Sequence, residues 1–530
     1  MKVTNIPFSK TGFFSKTMIN YLEKNKAIQP FYNNYPEITG FKNQIAEKQK
    51  SFSLQSRLVL VDALKHQYKS FKISEKTKQN IESLNKENTF TVTTGHQLNL
   101  FTGPLYFLYK ILSTINLCEE LSEKFPEQNF VPIYWMATED HDFEEINYFN
   151  FDGKKVQWNS NESGAVGRFS TDSLADVFEV FANHLGNSKN AKFLKNLFSE
   201  GYLKHQNLAA ATRYIANELF SEYGLVILDG DDTPLKQLFN PFVKEELENK
   251  TSFKEVSKTN LALEKNYKIQ VNPREINLFY LGNDFRERII FKDGIYKVNN
   301  TEIIFSKKEI LKEIDDNPKA FSPNVIMRPL YQEVILPNLC YLGGGGEMAY
   351  WLELKAYFKA VNIPFPILLL RNSVQILSEK QVHKLEKLNI SLEELFLNQH
   401  TLLSKKVIEN SGIQVDFDKK IQFLENQFSE LKEVAKKTDV SFVNAVNAQE
   451  RKQIKGLEYL QKRLLKAEKK RQKDLVDRIT QLQNEILPNQ SLEERQRNFS
   501  EYYLEYGNNF IEVLKDNLKP LQLEFTVLEL

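Results

Sequence analysis

The sequence predicts an α/β protein with a doubly wound parallel sheet, followed by a C-terminal α-helical coiled-coil hairpin. Three observations support this prediction. Short runs rich in β-branched and aromatic residues alternate with helical patterns as far as Arg371. Beyond that residue glycine becomes rare while Lys, Glu, Gln and Leu dominate, which is typical of long helices. Within this second part, apolar residues recur at heptad spacing.

Five runs have the composition and length of β-strands, namely residues 89–94, 131–137, 225–228, 277–281 and 367–370. Helical spacing follows the first run at Leu105, Leu108, Leu112 and Ile115, and another helix is predicted over residues 348–358. Strands that alternate with helices are joined by right-handed crossovers. The expected result is a mostly parallel sheet with helices on both faces.

The predicted core spans residues 1–375. Residues 150–220 and 250–320 interrupt the alternation with sequence rich in Lys, Asn and Glu. We therefore expect these two segments to be insertions that decorate the core.

Residues 376–490 are predicted to form a helical region with an antiparallel coiled coil. Ile421, Leu424, Phe428 and Leu431 follow the spacing of a coiled-coil seam, and a less strict seam continues over residues 454–486. A break at residues 437–439 turns the chain, and Pro488 ends a second arm of roughly 45 residues, about 70 Å long.

Residues 491–530 are predicted to form a C-terminal helix and tail. Ser491 and Glu494 have the spacing of a capping box, and aromatic residues follow in a helical pattern. The segment is free to dock on either the core or the coiled coil.

The composition excludes several classes of partner. There are 70 Lys and Arg against 69 Asp and Glu, a net charge of +1, so no overall field attracts nucleic acid or an anionic membrane. The N-terminus lacks the apolar core of a signal peptide, and no apolar run approaches the roughly 18 residues that span a bilayer. Two cysteines in no metal-binding pattern fit a reducing compartment. We expect a soluble, cytoplasmic protein.

The first candidate site is "TTGHQLNLFTGPLYFLYK", residues 93–110. Thr102 is a natural N-cap for a helix that follows the strand, and Pro104 suits its first turn. Free N–H groups and the helix dipole favour an anion there. The alternative is a plain loop in which His96 only satisfies backbone groups. The candidate residues are His96 for catalysis and Gly95, Gln97, Thr102, Gly103 and Lys110 for binding.

The second candidate is the acidic cluster "ATEDHDFEE", residues 137–145, expected at the carboxyl edge of the sheet. Repulsion between carboxylates raises their pKa values, and a neighbouring imidazole relieves it by taking up a proton. Asp140, His141 and Asp142 are therefore candidates for general base catalysis, and a hydrated Mg²⁺ is the other use of such oxygen atoms. The alternative is a solvated helix start. A zinc site would need more His or Cys at matched spacing.

The third candidate lies within residues 322–355. Asn324 belongs to a turn, and Arg328, flanked by apolar residues, is either part of a buried ion pair or a receptor for carboxylate or phosphate. Gly343 and Gly344 begin a run of four glycines before a helix. The run lacks the ending of a Walker A loop and the spacing of a dinucleotide fingerprint, so a flexible linker is an equal alternative.

Two smaller signals stand at predicted strand ends. Asp229, Asp231 and Asp232 have two interpretations, as ligands of a ribose or sugar hydroxyl or as a helix cap. Arg371 is placed to bind a substrate anion, with an ion pair to the acidic cluster as the alternative.

Four segments carry a resemblance to a known family: "TGHQLNLFTGPLY", "PIYWMATEDHDFEEIN", "SPNVIMRPLYQEVILPNLCYLGGGGEMAYW" and "PFPILLLRNS". In content and order they resemble the bacillithiol-biosynthesis cysteine-adding enzymes. The resemblance implies a Rossmann-like core similar to that of class I aminoacyl-tRNA synthetases and nucleotidyltransferases, with a coiled coil behind it and a homodimer formed through that coiled coil. In that comparison His96, Thr102 and Gly103 occupy the place of a loop that meets a nucleotide phosphate.

The resemblance also implies an activity: formation of an amide between the carboxyl of L-cysteine and the amine of glucosaminyl malate, with ATP as the expected activator and Mg²⁺ as its companion. On this basis His96 and Lys110 would meet phosphate or developing negative charge. One of Asp140, His141 and Asp142 would deprotonate the amine, and Arg328 or Arg371 would hold the malate carboxylates.

Two other functions compete with the ligase. A metal-dependent hydrolase would use the same acidic cluster and would need a divalent metal but no ATP. A scaffold protein built on the coiled coil would account for the C-terminal helices but not for the polar clusters of the first 370 residues.

Overall fold

The α/β core and helical C-terminal region predicted from the sequence are both present. The computed structural model describes residues 2–413 and 415–530; residues 1 and 414, which fall in the predicted core and helical region, lie outside the described residues. The strands are β1 (Lys2–Ile6), β2 (Thr89–His96), β3 (Asn129–Met136), β4 (Tyr148–Phe151), β5 (Lys154–Gln157), β6 (Val226–Asp229), β7 (Leu278–Leu281), β8 (Arg286–Lys292), β9 (Ile295–Val298), β10 (Ile304–Phe305), β11 (Phe321–Pro323), β12 (Asn338–Gly343), β13 (Ile367–Leu370), β14 (Val374–Leu377) and β15 (Phe525–Glu529).

Helices surround these strands. In the core and insertions they are α1 (Lys16–Leu22), α2 (Ile38–Ser51), α3 (Leu54–Gln67), α4 (Glu75–Ser83), α5 (Tyr106–Lys124), α6 (Phe143–Ile146), α7 (Leu174–Leu185), α8 (Lys189–Tyr202), α9 (Leu208–Phe220), α10 (Thr233–Asn249), α11 (Thr251–Leu263), α12 (Lys307–Asp316), α13 (Arg328–Ile335), α14 (Gly345–Trp351) and α15 (Lys355–Ala360). Towards the C-terminus they are α16 (Glu379–Lys387), α17 (Leu392–Leu395), α18 (Gln399–Glu409), α19 (Asp418–Ala435), α20 (Val440–Arg471), α21 (Lys473–Ile486), α22 (Phe499–Tyr506) and α23 (Asn509–Asn517). The single helix predicted over residues 348–358 is thus two short ones.

A five-stranded parallel sheet forms the centre of the core, in the order β13-β12-β2-β3-β6. The chain starts in the middle at β2, runs outward through β3 to β6, and then returns to the other side of β2 with β12 and β13. The strand order therefore reverses between β2 and β12. In doubly wound sheets the loops at such a point diverge to opposite faces and leave a crevice.

One strand of this sheet was not predicted, and one predicted strand lies elsewhere. β12 pairs with β2 and β13, and all six of its residues are buried. Its short sequence, NLCYLG, runs into the glycine segment and shows no alternation, as is usual for parallel strands covered on both faces. The predicted strand at 277–281 becomes β7, which belongs to a separate antiparallel sheet, in the order β10-β9-β8-β7-β11.

The helical region forms a hairpin from α19 and α20, which turn back on each other between Ala435 and Val440. Phe428 is buried in the seam, whereas Leu431, predicted to share it, is 49% exposed. The second arm is interrupted at Gln472, where α20 gives way to α21. Among the described residues, no helix has the long uncharged apolar stretch that a bilayer span requires.

The C-terminal segment packs on the core. α23 contacts α5, and β15 pairs with both β1 and β14, so the two ends of the chain share one sheet. The predicted capping box at Ser491 is wrong, because the helix begins only at Phe499 with Asn498 as its N-cap. Glu493 and Glu494 instead turn inward, where they accept hydrogen bonds from core groups.

A buried polar network connects α2 to α13 and to the start of β12 in the parallel sheet. Nζ of Lys48 lies 3.1 Å from Oε2 of Glu333, and both side chains are almost fully buried. Oε1 of Glu333 accepts hydrogen bonds from Asn338 (2.6 Å) and Gln332 (3.0 Å). Gln332 in turn accepts one from Arg328 (3.1 Å). The network therefore ends at a residue singled out as a site candidate.

Lys48→Met should lower the free energy of unfolding by roughly 3–5 kcal/mol, because it leaves the Glu333 carboxylate buried without its cation. The measurement is guanidinium chloride denaturation of the full chain. The double variant Lys48→Met/Glu333→Gln removes the buried charge and should recover a large part of the loss. Equal stability of the single and double variants would contradict this explanation.

Candidate active site

A cleft of about 1070 Å³ opens at the carboxyl ends of β2, β3 and β12. It lies where the strand order reverses, the usual ligand position in sheets of this kind. Its floor consists of residues 95–97, 135–141 and 344–347. The antiparallel sheet and the loop before it form one wall, and Arg495 enters from the C-terminal segment. The cleft brings together the two main candidate loops predicted from the sequence, at residues 93–110 and 137–145.

Lys110, predicted to meet phosphate, is buried at the cleft floor. Its Nζ lies 2.6 Å from Oε2 of Glu347 and donates a hydrogen bond of 2.7 Å to the carbonyl of Gly95. Glu347 also accepts hydrogen bonds from the hydroxyl of Tyr341 (2.6 Å) and the N–H of Gly344 (2.8 Å). Burial alone would raise the pKa of Glu347, but Lys110 and these donors hold the pKa below its usual value. The ion pair links the loops on either side of the switch point.

Arg328 points into the cleft between aromatic rings. Its guanidinium carbon lies 5.7 Å from the ring centre of Trp135 and 5.5 Å from that of Tyr341. Nη1 donates to Gln332, whereas Nη2 is buried and has no hydrogen-bond partner in the part of the chain that the structure describes. A buried donor without a partner is unfavourable, and an anion in the cleft would relieve it.

His96 is buried against the rings of Tyr106 and Phe107. Burial lowers its pKa to about 3, and the nearby charge of Lys110 acts in the same direction. The ring is therefore neutral at physiological pH and can contribute a hydrogen bond but no positive charge. Its Nε2 is buried and has no partner within residues 2–413 and 415–530.

Thr102 and Gly103 do not cap the following helix as predicted. α5 begins at Tyr106 and its N-cap is Leu105, whose N–H donates to the carbonyl of Arg497 at 2.7 Å. Neither Thr102 nor Gly103 lines the cleft. Gly103 has φ of 63° and lies where a Cβ would come within 2.5 Å of a neighbouring side chain, so the turn requires glycine. The C-terminal segment occupies the helix start that was expected to bind an anion.

Asp140 is the acceptor that joins two floor loops. Nε2 of Gln97 donates to its Oδ2 at 3.0 Å and to Glu145 at 2.8 Å, while the N–H of His141 donates to Oδ1 at 2.8 Å. Burial would raise the pKa of Asp140, but the His141 side chain, the hydrogen bond from Gln97, the charge of Arg286 and the N–H of His141 hold the pKa well below its usual range. The expectation that repulsion raises this pKa is wrong. Asp140 is therefore a weak base.

His141 lies between a cation and a carboxylate. Nη1 of Arg286 is 3.0 Å from its Nδ1, and Oδ1 of Asp140 is 3.6 Å from the same atom. Because a guanidinium keeps its protons, Nδ1 accepts this hydrogen bond and the ring proton is on Nε2. If Arg286 moves away to bind a ligand, the ring proton can shift from Nε2 to Nδ1 and be donated to Asp140, which leaves Nε2 free to accept a proton.

Glu139 and Asp142 differ from Asp140 in their surroundings. Glu139 forms a buried ion pair with Lys236, which also donates to the carbonyl of Phe321. Asp142 is exposed, precedes the short helix α6 and does not line the cleft. Among the described residues, no three His, Cys, Asp or Glu side chains come together as a metal site. The geometry gives no support to a metal site built by this cluster.

Arg371 pairs with a residue that the sequence did not indicate. Its Nη1 and Nη2 donate to the two carboxylate oxygens of Glu494 at 2.9 and 2.7 Å, and both side chains are buried. The alternative interpretation, an ion pair with the acidic cluster, is wrong, because the partner of Arg371 is Glu494. Only Nε of Arg371 has no partner in the described chain, and the residue lines the cleft.

Asn324 and the glycine run have mainly structural contacts. Oδ1 of Asn324 accepts from the N–H groups of Ile326 and Met327, which closes the turn before α13. Asn324 and Gly344 line the cleft, whereas Gly343 is the last residue of β12. The run is a tight connection between β12 and α14, and the alternative of a flexible linker is wrong.

The three aspartates at the end of β6 lie at a second cavity, of about 860 Å³. Asp232 caps α10, because its Oδ1 accepts from the N–H of Leu235 at 3.3 Å. Asp231 pairs with Arg168. Burial raises the pKa of Asp229, and the neighbouring charge of Asp231 raises it further. The helix-cap interpretation is confirmed for Asp232.

The chain matches two protein-family models. Residues 1–372 match "Bacillithiol biosynthesis BshC, N-terminal Rossmann-like domain" and residues 374–530 match "Bacillithiol biosynthesis BshC, C-terminal coiled-coil domain". The chain belongs to the BshC family. The Rossmann-like core and coiled-coil region expected from the motifs are thereby confirmed.

Relatives of this chain from several bacteria are named "Putative cysteine ligase BshC". Those of Flavobacterium johnsoniae and Flavobacterium psychrophilum are 55% and 57% identical to this chain, with 99% of both chains covered in each comparison. That of Christiangramia forsetii is 54% identical, over 100% of this chain and 99% of the relative. The comparison with a structure of arginyl-tRNA synthetase from Plasmodium falciparum covers 82% of this chain and 76% of the synthetase chain, at 10% identity. Its TM-score is 0.19, which is too low to support any conclusion about this chain.

Several residues of this BshC cleft were not predicted as site residues. Glu347 had a detectable signal, since it stands three residues after Gly344 at a helix start, the position of a capping carboxylate. Arg274, Arg286 and Arg288 come from the second insertion and Arg495 from the C-terminal segment, far from the predicted loops in sequence. Tyr106, Trp135 and Tyr341 lie within or beside the predicted segments.

Glu493 is buried beside the Arg371–Glu494 pair. Its oxygens accept hydrogen bonds from the N–H of Ile376 and the hydroxyl of Tyr502, both at 2.7 Å. Burial raises the pKa of Glu493 to about 7, although Arg497 acts in the opposite direction. This carboxyl therefore titrates near neutral pH at the junction of the two regions.

Stability should depend on pH through Glu493. Its pKa is raised on folding from 4.5 to about 7, so its stabilising contribution is complete below the unfolded value and is lost as the pH rises through 7. Glu493→Gln does not titrate. The stability of the wild type relative to this variant should therefore fall by roughly 1–3 kcal/mol between pH 5 and pH 8, measured by urea denaturation. A difference independent of pH would contradict the prediction.

Proposed function

We propose that this chain is a cysteine ligase that joins the carboxyl of L-cysteine to the amine of glucosaminyl malate, in the cytoplasm and with ATP as the activator. The names of its relatives and the motifs at the cleft support this proposal. The acceptor carries two carboxylates, and ATP carries a chain of phosphates. A cleft for this reaction must therefore bind anions.

The observation that carries the proposal is an excess of guanidinium groups in the cleft. Five arginines that line it have no carboxylate within ion-pair distance among the described residues: Arg274, Arg286, Arg288, Arg328 and Arg495. The lining carboxylate of Glu347 is matched by Lys110, and that of Asp140 by hydrogen-bond donors. Arginine forks suit carboxylate and phosphate oxygens. The cleft is thus built for an anionic substrate.

The residues present also fit the phosphates of ATP. Two buried donors near the switch point, Arg328 Nη2 and Arg371 Nε, have no partner in the described parts of the chain. These residues and Gly344 would hold the nucleotide. When bound, ATP would supply a leaving group on the cysteine carboxyl. Any Mg²⁺ would be held largely by phosphate and water, as is common for this ion.

Proton removal from the attacking amine falls to His141 in this proposal. Asp140 is a weak base, and Asp142 lies outside the cleft lining. Asp140 is placed to orient the ring of His141 when Arg286 turns to the acceptor. Arg328 would hold a malate carboxylate, while Arg371, already paired with Glu494, would offer only its Nε.

We also propose that the chain works as a homodimer through the coiled coil. The helices α19 and α20 leave large apolar side chains exposed, including Phe423, Val440 and Tyr459, which are 60–75% exposed. Burying such side chains against a second copy is favourable.

Mass spectrometry of the full chain incubated with L-cysteine, glucosaminyl malate, Mg²⁺ and ATP should detect the amide product. A parallel sample without ATP should contain none, because the free carboxylate is not activated. Product without ATP would retain the substrates and overturn the activation step. Absence of product in both samples would contradict the proposed function.

His141→Asn should lower kcat/KM by roughly 10²–10⁴-fold while leaving the fold intact, because it removes the group proposed to take the proton. The matched control is His383→Asn on α16, whose ring is exposed and lies 3.7 Å from the carboxylate of Glu386. Rates would be followed by the same product measurement, and folding by circular dichroism. Full activity of His141→Asn would exclude its role as the base.

A further inference from the structure

The C-terminal region contributes a side chain to the cleft. Glu494 is fixed by its two hydrogen bonds to Arg371, and the next residue, Arg495, lines the cleft. The guanidinium of Arg495 lies 5.8 Å from the ring centre of Tyr106, and that of Arg371 lies 4.9 Å from the same ring. The guanidinium groups of Arg371 and Arg495 thus both lie beside Tyr106, at the same end of the cleft.

Arg495 has no evident structural role. Its side chain is exposed and forms no hydrogen bond or ion pair with the rest of the described chain. The carboxylates nearby are already matched, since Glu494 pairs with Arg371 and Glu347 with Lys110. An arginine without a partner, next to buried donors without partners, leaves a local excess of positive charge. Such a place favours an anion.

We propose that Arg495, together with Nε of Arg371 and Nη2 of Arg328, forms an anion-binding subsite, so that the C-terminal region completes a cleft otherwise built by the core. The subsite takes a multiply charged anion with carboxylate or phosphate oxygens. The proposal rests on the proposed function only in treating the cleft as the substrate site. The two sources of such oxygens are the dicarboxylate of the acceptor and the phosphate chain of the nucleotide.

Isothermal titration of the full chain with two probes, L-malate and inorganic pyrophosphate, tests this subsite without turnover. Arg495→Met should weaken binding of at least one probe by about tenfold or more, the effect expected from losing a charge-assisted hydrogen bond. Loss for malate alone would assign the subsite to the acceptor, and loss for pyrophosphate alone would assign it to the nucleotide. The matched control is Arg451→Met, an exposed arginine on α20 that removes the same charge.

Arg495→Lys keeps the charge but loses the planar fork, and should bind the affected probe with intermediate affinity. Unchanged binding of both probes to Arg495→Met, the same loss in Arg451→Met, or no binding of either probe to the wild type would each overturn the proposal. The anion-binding titration can fail or succeed independently of the mass-spectrometric product measurement. If no amide forms but Arg495→Met still loses anion binding, the subsite stands and the cysteine ligase assignment falls.

Discussion

The bidentate ion pair between Arg371 and Glu494 is the contact on which the cleft depends. It fixes the C-terminal segment against the end of β13, with both side chains at most 3% exposed. Removing two charges from water is costly, so such a pair contributes more to position than to stability. Its consequence is local: Arg495 is directed to the cleft, and the carbonyl of Arg497 closes the start of α5. Core and C-terminal region therefore form one functional unit.

The reversal of strand order between β2 and β12 explains why distant loops meet. β2 ends at His96, the loop after β3 carries Asp140 and His141, and β12 leads to Glu347 at the start of α14. Parallel strands place all three at one edge. The antiparallel sheet of the second insertion then covers this edge and brings Arg286 to His141. The insertion is thus part of the site as well as decoration of the core.

Much of this arrangement could be predicted from local sequence. Alternating strands and helices indicated the sheet, and the position of His96 and Asp140 after predicted strands indicated a common edge. The failures concern partners that are distant in sequence. Thr102 has the local sequence of a helix cap, and nothing near it in sequence shows that the carbonyl of Arg497 accepts the hydrogen bond at the start of α5. The partner of Arg371 was missed because it lies 123 residues away. β12 was missed because a strand buried on both faces shows no alternation.

Hydrogen exchange of the full chain, with and without L-cysteine, glucosaminyl malate and Mg²⁺-ATP, tests most directly whether this cleft is the substrate site. Substrates bound as proposed should slow exchange of backbone amides at residues 95–97, 139–141, 344–347 and 494–497 together, since these segments surround one cleft. Protection confined to the cavity beside Asp229, or to the coiled coil, would contradict the account, as would no protection at all.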